Sequence, residues 1–300
     1  MTRSALLLFM LPAIVFAASA NDPPAATYRT TVSEVRVTFF TTDENNHSVD
    51  TVRKDDFAIV DSSMVVREFR SLSRSDETAL DVVVVVDASE SVAPRFQATM
   101  NEVLQLVFQR QVTTDDNISV VSFGGRQPAV ICTRNCRSPA ARGSLLAVKA
   151  AGATPLFDAL AYGVEIISGR RTPAVRPVLI LFSDGDDTIS RTSAQDALHA
   201  VIASGARLYA VDMSRPGDAS YGSAALQQMA DQTGGSYFSF REGAANVLQT
   251  ALKDLRASYV VTYQVPTPAV GFHSLRILPK HNLNLRFHCR NGYYYGTDIP

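Results

Sequence analysis

The 300-residue chain is poor in cysteine and has no excess of either charge. Its three cysteines, Cys132, Cys136 and Cys289, are too few for a scaffold held together by disulfides, and they lack the paired clusters of a structural zinc site. With 28 basic and 29 acidic residues, the chain has no strong field to attract nucleic acid or an anionic membrane. Because 46% of its residues are hydrophobic, we expect stability to come from one large core or two modest ones.

Motifs of hydrolases and phosphate-binding enzymes are also absent. No histidine pair has the His-Glu-x-x-His spacing of a zinc hydrolase, and no serine lies in a Gly-x-Ser-x-Gly sequence. The glycine pairs at 124–125 and 234–235 lack the spacing of a phosphate loop, so we predict that they form turns. These absences argue against a zinc hydrolase, a serine hydrolase with a nucleophile elbow and a phosphate-loop enzyme.

The first twenty residues have the features of a secretory signal peptide. Arg3 precedes an apolar stretch at residues 6–16, and Ala18-Ser19-Ala20 provides the small residues of a cleavage site. The apolar stretch is shorter than the ~20 residues of a spanning helix, and no later segment is long enough. We therefore predict a signal peptide at 1–20, a proline-containing linker at 21–27, and a secreted or periplasmic mature protein with no transmembrane segment.

Alternating hydrophobicity predicts β structure at both ends of the mature chain. In residues 34–40, Val35, Val37 and Phe39 alternate with polar side chains, which is the period of a half-buried strand. The same alternation returns at 259–263, 274–278 and 283–288. Neither end has enough apolar residues for a good core alone. We therefore expect an N-terminal β segment, 28–78, to pack with a C-terminal β segment, 258–300, as a small β-sandwich.

The middle of the chain, residues 79–257, has a different pattern. Short apolar runs without polar alternation are typical of strands buried on both faces. These runs occur at 81–86, 118–123, 178–182, 208–211 and 237–240. Segments of helical period lie between them, one opening at Ser193 with Asp196 as a capping pair and the last expected at 244–257. This alternation predicts an α/β domain with a doubly wound, mostly parallel sheet, inserted between the β segments.

Oxygen-bearing side chains follow two of the apolar runs. The first run ends in Asp87-x-Ser89-x-Ser91, and the run at 178–182 is followed by Asp184, while Thr154 lies in a loop before a helix. Ligands bind beyond the carboxyl ends of strands in open α/β sheets. Oxygen donors suit a hard divalent cation such as Mg²⁺. The two aspartates neutralise the positive charge of the ion, and the hydroxyl ligands add no further negative charge. The ion can therefore still accept a carboxylate from a partner. The simpler alternative is that both aspartates only cap the loops that follow their strands and bind no metal.

Together, these three segments resemble the metal-ion-dependent adhesion site of the von Willebrand factor type A (VWA) domain. The β segments are similar to those of a bacterial family of secreted VWA-related proteins, through the sequences Lys54-Asp55-Asp56-Phe57 and Gly292-Tyr293-Tyr294. The resemblance implies a Mg²⁺, Mn²⁺ or Ca²⁺ ion held by Asp87, Ser89, Ser91, Thr154 and Asp184. In the family, the two serines bind the metal directly, and the first aspartate acts largely through hydrogen bonds and water.

The resemblance implies a secreted, non-enzymatic adhesion-type module whose metal captures an acidic residue of a protein partner. The 24 arginines against 4 lysines and the resemblance favour a bacterial source. The alternative is a structural or assembly protein of the cell envelope, in which the metal serves stability only. A metal-assisted hydrolase ranks third, because no positioned general base is visible.

Two smaller questions stay open at the level of sequence. Cys132 and Cys136 are close enough in the chain for a disulfide, which we consider at least as favoured as two free thiols in a secreted protein. The pair Asp186 and Asp187 could hold a second ion, although a solvated loop is the simpler interpretation.

Overall fold

The computed structural model describes residues 32–45, 47–75, 78–108, 116–134, 136–168, 175–214, 221–239, 252–266 and 268–296. The predicted signal peptide, the linker and the first residues of the N-terminal β segment lie outside the described residues, as does most of the helix predicted at 244–257. Residues 252–256 of that helix are described and are helical.

The described residues form fourteen strands, numbered in chain order. They are β1 (Val32–Thr42), β2 (Phe57–Asp61), β3 (Met64–Val66), β4 (Ser71–Arg74), β5 (Ala79–Asp87), β6 (Asn117–Phe123), β7 (Ala129–Thr133), β8 (Val175–Ser183), β9 (Arg207–Asp212), β10 (Tyr237–Ser239), β11 (Tyr259–Pro266), β12 (Gly271–Pro279), β13 (Arg286–Cys289) and β14 (Gly292–Tyr295).

The longer helices of the described residues all lie between strands of the middle region. They are α1 (Ala93–Phe108), α2 (Pro139–Ala147), α3 (Leu156–Ser168), α4 (Ala194–Ser204) and α5 (Tyr221–Thr233). A 3₁₀ turn, Lys54–Asp56, precedes β2. Among the helices of the described residues, none is long and apolar enough to cross a bilayer.

A six-stranded sheet, in the order β10-β9-β8-β5-β6-β7, forms the centre of the α/β region. All its neighbouring strands are parallel except β7, which runs antiparallel to β6 at one edge. The valine run of β5 contributes to both faces: Val82, Val84 and Val86 pack with α1, and Val83 and Val85 pack with α3. Burial on both faces explains why the run has no polar alternation. The predicted doubly wound, mostly parallel α/β fold is confirmed.

The two β segments pair with each other in two antiparallel four-stranded sheets, β13-β1-β11-β4 and β14-β12-β2-β3. In the first sheet, β1 pairs with β11 from Val32 opposite Pro266 to Phe39 opposite Tyr259. In the second sheet, β2 pairs with β12. A separate core, built from both segments, fills the space between them. The limits at 28–78, 79–257 and 258–300 stay predictions.

Some local expectations were wrong or incomplete. The strand predicted at 283–288 begins only at Arg286, because Leu283 lies in a turn and is 77% exposed. β7, α2 and α5 have no counterpart in the sequence-based prediction. In α5 the buried face is Gly222, Leu226, Met229, Ala230 and Thr233, and with only two large apolar side chains it does not stand out as an apolar stripe. The capping pair at Ser193 is present, since its hydroxyl accepts the Asp196 N–H at 3.1 Å.

Candidate functional site

The carboxyl ends of β5 and β8 lie side by side, because these neighbouring strands run parallel with Val86 opposite Phe182. Asp87 ends β5 and is fully buried. Its Oδ1 accepts the Ser89 backbone N–H at 2.9 Å, and its Oδ2 accepts the Ser183 hydroxyl at 2.7 Å. Burial raises the pKa of Asp87 to about 6, and the charge of Asp184 adds to that rise, while the hydrogen bonds oppose it. The carboxylate is therefore fixed in orientation and is short of positive charge.

The turn after β5 presents two hydroxyls on the same side. The Oγ atoms of Ser89 and Ser91 are 3.0 Å apart. Ser89 is buried, while Ser91 is exposed at the surface. Since the residues are two positions apart and their oxygens already lie within hydrogen-bond distance, both can serve one small ligand.

The loop that carries Thr154 is hydrogen-bonded to this turn. The Glu90 N–H donates to the Gly152 carbonyl at 3.0 Å, and the Ala151 N–H donates to the Ala88 carbonyl at 2.7 Å. Thr154 itself is buried, with 3% of its surface exposed. The backbone bonds hold the Thr154 loop against the Asp87 turn, although the two segments are far apart in the sequence.

Asp184 follows β8 and belongs to a turn that contacts both other segments. It is half-buried, and its Oδ1 accepts the Asp186 N–H at 3.3 Å. Across the same edge, the Thr154 N–H donates to the Thr188 hydroxyl at 2.8 Å. The structure therefore brings the three predicted segments, and with them the candidate ligands, to one edge of the sheet.

Two glycines that the sequence analysis did not assign to the site make the close approach possible. A Cβ atom at Gly124 would lie 2.4 Å from the Ala88 carbonyl oxygen, and one at Gly222 would lie 2.4 Å from the Asp184 carbonyl oxygen. Real Cβ atoms do not approach backbone so closely, so both positions require glycine. Gly124 follows β6 at the same sheet edge, which is the one sequence signal that pointed to it. Gly222 had no such signal.

Asp187 has a structural role that the sequence analysis did not foresee. Its Oδ1 accepts the Leu156 N–H at 2.9 Å and the Ser190 hydroxyl at 2.5 Å. Leu156 is the first residue of α3, so Asp187 caps this helix from another loop. Its neighbour Asp186 is exposed, and burial and the charges of Asp184 and Asp212 raise the pKa of Asp186. The two adjacent aspartates therefore differ in role.

The chemistry of the five candidate ligands fits a hard divalent cation. Their side chains offer only oxygen, with two carboxylates and three hydroxyls. Within the described ranges, no group of three or more His, Cys, Asp or Glu residues is placed to hold a metal. A site at this edge would depend on hydroxyl ligands, and Mg²⁺ accepts such ligands together with water. The Asp87 carboxylate is buried, and its hydrogen-bond donors are the neutral Ser89 N–H and Ser183 hydroxyl, which also favours a cation at this edge.

Away from this edge, Cys132 of β7 and Cys136 form a disulfide with a Cα–Cα distance of 5.3 Å. Cys289 of β13 is a free thiol, and burial raises its pKa to about 11. A thiol in that environment is a poor nucleophile and a poor metal ligand.

Residues 81–254 match the von Willebrand factor type A domain family. The match covers more than half of the chain, so the chain belongs to this family, as the resemblance predicted. Domains of this family are generally non-catalytic modules that mediate protein–protein interaction. No curated protein matches the chain in sequence.

The chain is also similar to several solved structures. The pilus adhesin SpaC from Lactobacillus rhamnosus GG, in an open conformation, is 12% identical with a TM-score of 0.50, over 78% of this chain and 47% of that one. A von Willebrand factor type A protein from Catenulispora acidiphila is 13% identical with a TM-score of 0.48, over 90% and 75% of the two chains. An aerotolerance-related membrane protein from Bacteroides fragilis is 16% identical with a TM-score of 0.47, over 59% and 98%. At 12% identity, the likeness to the pilus adhesin concerns the fold alone.

Proposed function

We propose that this chain is a secreted, non-enzymatic module that binds a protein partner through a divalent cation, with Mg²⁺ as the preferred ion. The observation that carries the proposal is the hydrogen-bonded assembly of three separate loops around the buried Asp87 carboxylate. That assembly supports a ligand role for the side chains at this edge, because it orients oxygens from distant parts of the chain toward one place. Membership in a family of interaction modules supports the choice of a protein partner.

Each candidate ligand has a distinct part in this proposal. Ser89 and Ser91 hold the cation through their hydroxyls, and Asp87 orients the site through its bonds to the Ser89 N–H and the Ser183 hydroxyl. Thr154 and Asp184 complete the protein ligands. When bound, the ion supplies a Lewis-acidic position for a carboxylate oxygen of the partner.

Acidic residues around the site favour dependence on metal. Glu90 and Asp186 are both exposed in the same loops that carry the candidate ligands. Without a cation, these charges and Asp184 repel an acidic partner, and like charges at an interface oppose association. A divalent ion offsets two of these negative charges and offers a coordination position to a carboxylate oxygen, so the presence of the metal decides whether an acidic residue can bind.

Secretion and location form the second part of the proposal. The signal peptide predicted at 1–20 places the mature protein outside the cytoplasm, in the periplasm or released, in a bacterium. An oxidising compartment also suits the disulfide between Cys132 and Cys136.

Affinity capture from the envelope fraction of the source organism tests the proposed function. The full mature chain is used as bait in Mg²⁺ and again with a chelator, beside the variant Asp184→Ala and the control Asp55→Ala, which removes an exposed acid of the 3₁₀ turn before β2, outside the three segments of the site. We expect a partner that is retained by the wild type and the control in Mg²⁺ only. The purified partner is then assayed by calorimetry, with each acidic residue of its contact surface changed to the amide.

A partner captured equally well in excess chelator contradicts the adhesion mechanism. If Mg²⁺ raises the melting temperature but no partner depends on it, the envelope assembly role replaces the adhesion role. Catalytic turnover in the bound fraction contradicts both.

A further inference from the structure

A cavity of about 690 Å³ lies at the edge of the central sheet opposite the candidate metal site. One wall comes from the amino ends of β5, β8 and β9, and the other comes from β1 and β14 of the β segments. The volume is in the range of pockets that hold small organic molecules, ~300–1,000 Å³. The cavity therefore lies between the α/β region and the β-sandwich, away from the residues of the proposed function.

Positive charge dominates the lining of this cavity. Its charged residues are the four arginines Arg36, Arg176, Arg207 and Arg290 and the two acids Glu34 and Asp81. The Glu34 carboxylate is already engaged by Arg70, an arginine outside the lining, at 2.9 Å. The balance of charge in the cavity is thus positive.

Arg176 is the first of two buried arginines in the lining. Only 8% of its surface is exposed. Its Nη1 donates to the Leu255 carbonyl at 2.6 Å, and its Nη2 donates to the Ser75 carbonyl at 2.5 Å. Its Nε is buried without a hydrogen-bond partner. Burial and the charge of Arg207 lower the pKa of Arg176 to about 10. Every acceptor that it contacts is neutral.

Arg207, at the start of β9, is the second buried arginine of the cavity lining, with 6% of its surface exposed. Its Nη1 donates to the Ser258 hydroxyl at 3.0 Å, and its guanidinium lies 5.5 Å from the centre of the Phe40 ring. Its Nη2 is buried without a hydrogen-bond partner. Arg207 is thus also held by neutral groups.

Nearby carboxylates offset these two charges only from a distance: Asp116 acts on Arg176, and Asp254 acts on Arg207. Asp116 pairs with another arginine, Arg256, at 2.7 Å. Burial raises the pKa of Asp254 to about 6 and the charge of Arg207 opposes that rise, so Asp254 is ionised at neutral pH and offsets part of the Arg207 charge. In the part of the chain that the structure describes, no carboxylate forms an ion pair with Arg176 or Arg207.

Two buried guanidiniums close enough to oppose each other's charge are costly without an anion. Guanidinium groups bind phosphate and carboxylate oxygens strongly, often through two parallel hydrogen bonds. Thr38 and Tyr295 also line the cavity with hydroxyl groups, and the Tyr295 oxygen accepts a hydrogen bond of 3.1 Å from the Ser33 hydroxyl, which leaves the Tyr295 hydrogen as a neutral donor. The cavity is much larger than an inorganic ion, so there is room for the rest of an organic molecule.

We infer that this cavity binds a small organic molecule through an oxyanion group, a phosphate or a carboxylate, with Arg36, Arg176 and Arg207 as the anion-binding residues. The site is separate from the candidate metal edge, and its occupancy does not depend on a divalent ion. Because the cavity wall comes from both regions, the bound molecule also bridges the α/β domain and the β-sandwich.

Calorimetry on the full mature chain tests this site, with inorganic phosphate and citrate as two separate probes. The protein is first freed of metal on a chelating resin, and ionic strength is held constant with potassium chloride, so that the metal edge and general screening do not contribute. The variant Arg36→Gln removes a charge from the lining of the cavity. Because Arg36 is exposed, we expect the variant to fold like the wild type. The control Arg67→Gln removes an equally exposed charge outside the cavity.

We expect saturable binding of at least one probe, weakened about tenfold or more by R36Q and unchanged by R67Q, because a hydrogen bond between charged groups is lost. Binding of phosphate alone identifies a phosphoryl group as the ligand feature, and binding of citrate alone identifies carboxylates. The inference is overturned if neither probe binds saturably up to millimolar concentration, or if R36Q and wild type bind with equal affinity.

Discussion

The hydroxyl of Ser183 donates a hydrogen bond of 2.7 Å to Oδ2 of Asp87, joining the ends of two neighbouring strands across 96 positions of sequence. The hydroxyl oxygen of Ser183 also accepts the Gly185 N–H at 3.1 Å. One hydroxyl therefore orients the buried carboxylate after β5 and also shapes the turn that contains Asp184. Ser183 is not among the proposed ligands, yet the relative position of two of them depends on it.

The first prediction concerns this hydroxyl. Ser183→Ala leaves Oδ2 of Asp87 buried without its donor, and such a loss destabilises a protein by ~1–3 kcal/mol. We expect that decrease in the free energy of unfolding, measured by urea denaturation in metal-free buffer. The control Ser274→Ala removes an exposed hydroxyl of β12 and should change the free energy by less than about 0.5 kcal/mol. Equal stability of S183A and wild type would show that the bond contributes nothing.

The second prediction concerns the proposed cation. The double variant Ser89→Ala and Ser91→Ala removes two hydroxyl ligands with little change in volume, so we expect Mg²⁺ or Mn²⁺ affinity to fall by more than about tenfold. Calorimetry measures the affinity, and circular dichroism checks that the fold is kept. S274A again serves as the control and should bind the ion like the wild type. Unchanged affinity in the double variant refutes the ligand assignment.

A third prediction uses the contact between Gly222 and the Asp184 turn. The Cβ of Gly222→Ala would lie 2.4 Å from the Asp184 carbonyl oxygen and 2.7 Å from the carbonyl carbon of Gly185, so the turn must move. Such overpacking costs ~1–3 kcal/mol, and we also expect weaker Mg²⁺ binding. Gly143→Ala is the matched control, because a Cβ there meets no atom within 4 Å. Gly143 is helical, so this control should gain ~0.5–1 kcal/mol. If G222A is as stable as G143A, the turn is not constrained.

The fourth prediction is a pH dependence that arises from Asp254. Burial raises the pKa of this acid from 3.8 to about 6 in the folded state. The folded state therefore binds the proton more tightly than the unfolded state, and this contribution to stability is lost as pH rises from about 4 to about 6. Asp254→Asn stays neutral, so we expect it to be more stable than wild type at neutral pH, by at most about 3 kcal/mol.

Urea denaturation across this pH range measures the difference between D254N and wild type. The difference should shrink toward zero as pH falls below about 4, since both side chains are then neutral. The exposed control Asp55→Asn should differ from wild type by less than about 0.5 kcal/mol. A D254N curve parallel to the wild-type curve at every pH would show that Asp254 carries its charge without penalty.

Local pattern was enough to predict the central strands and the edge at which the candidate ligands meet. The valine run of β5 has no polar alternation because both of its faces are covered, and such a run predicts a buried parallel strand directly. Asp87 and Asp184 follow two such strands, and parallel strands end at the same edge of a sheet. The pairing of the two β segments also followed from pattern, because neither had enough apolar residues for its own core.

Elements with a weak or mixed pattern could not be predicted in this way. The buried face of α5 includes a glycine, an alanine and a threonine, and the alternation around Leu283 continues through a turn. In both cases the composition of the segment alone does not distinguish a buried face from an exposed one. Contacts with the rest of the molecule decide which it is.

Sequence alone determined the fold class, the family and the set of oxygen-bearing residues, because these depend on spacing along the chain. Only the tertiary structure decided which other residues hold that set together, among them Ser183 and Gly222. It also decided that Arg176 and Arg207 lie buried beside one cavity. Hydrogen bonds, close backbone contacts and repulsion between buried charges involve residues that are distant in sequence. The local hydrophobic period of a segment does not indicate which distant residues it will contact.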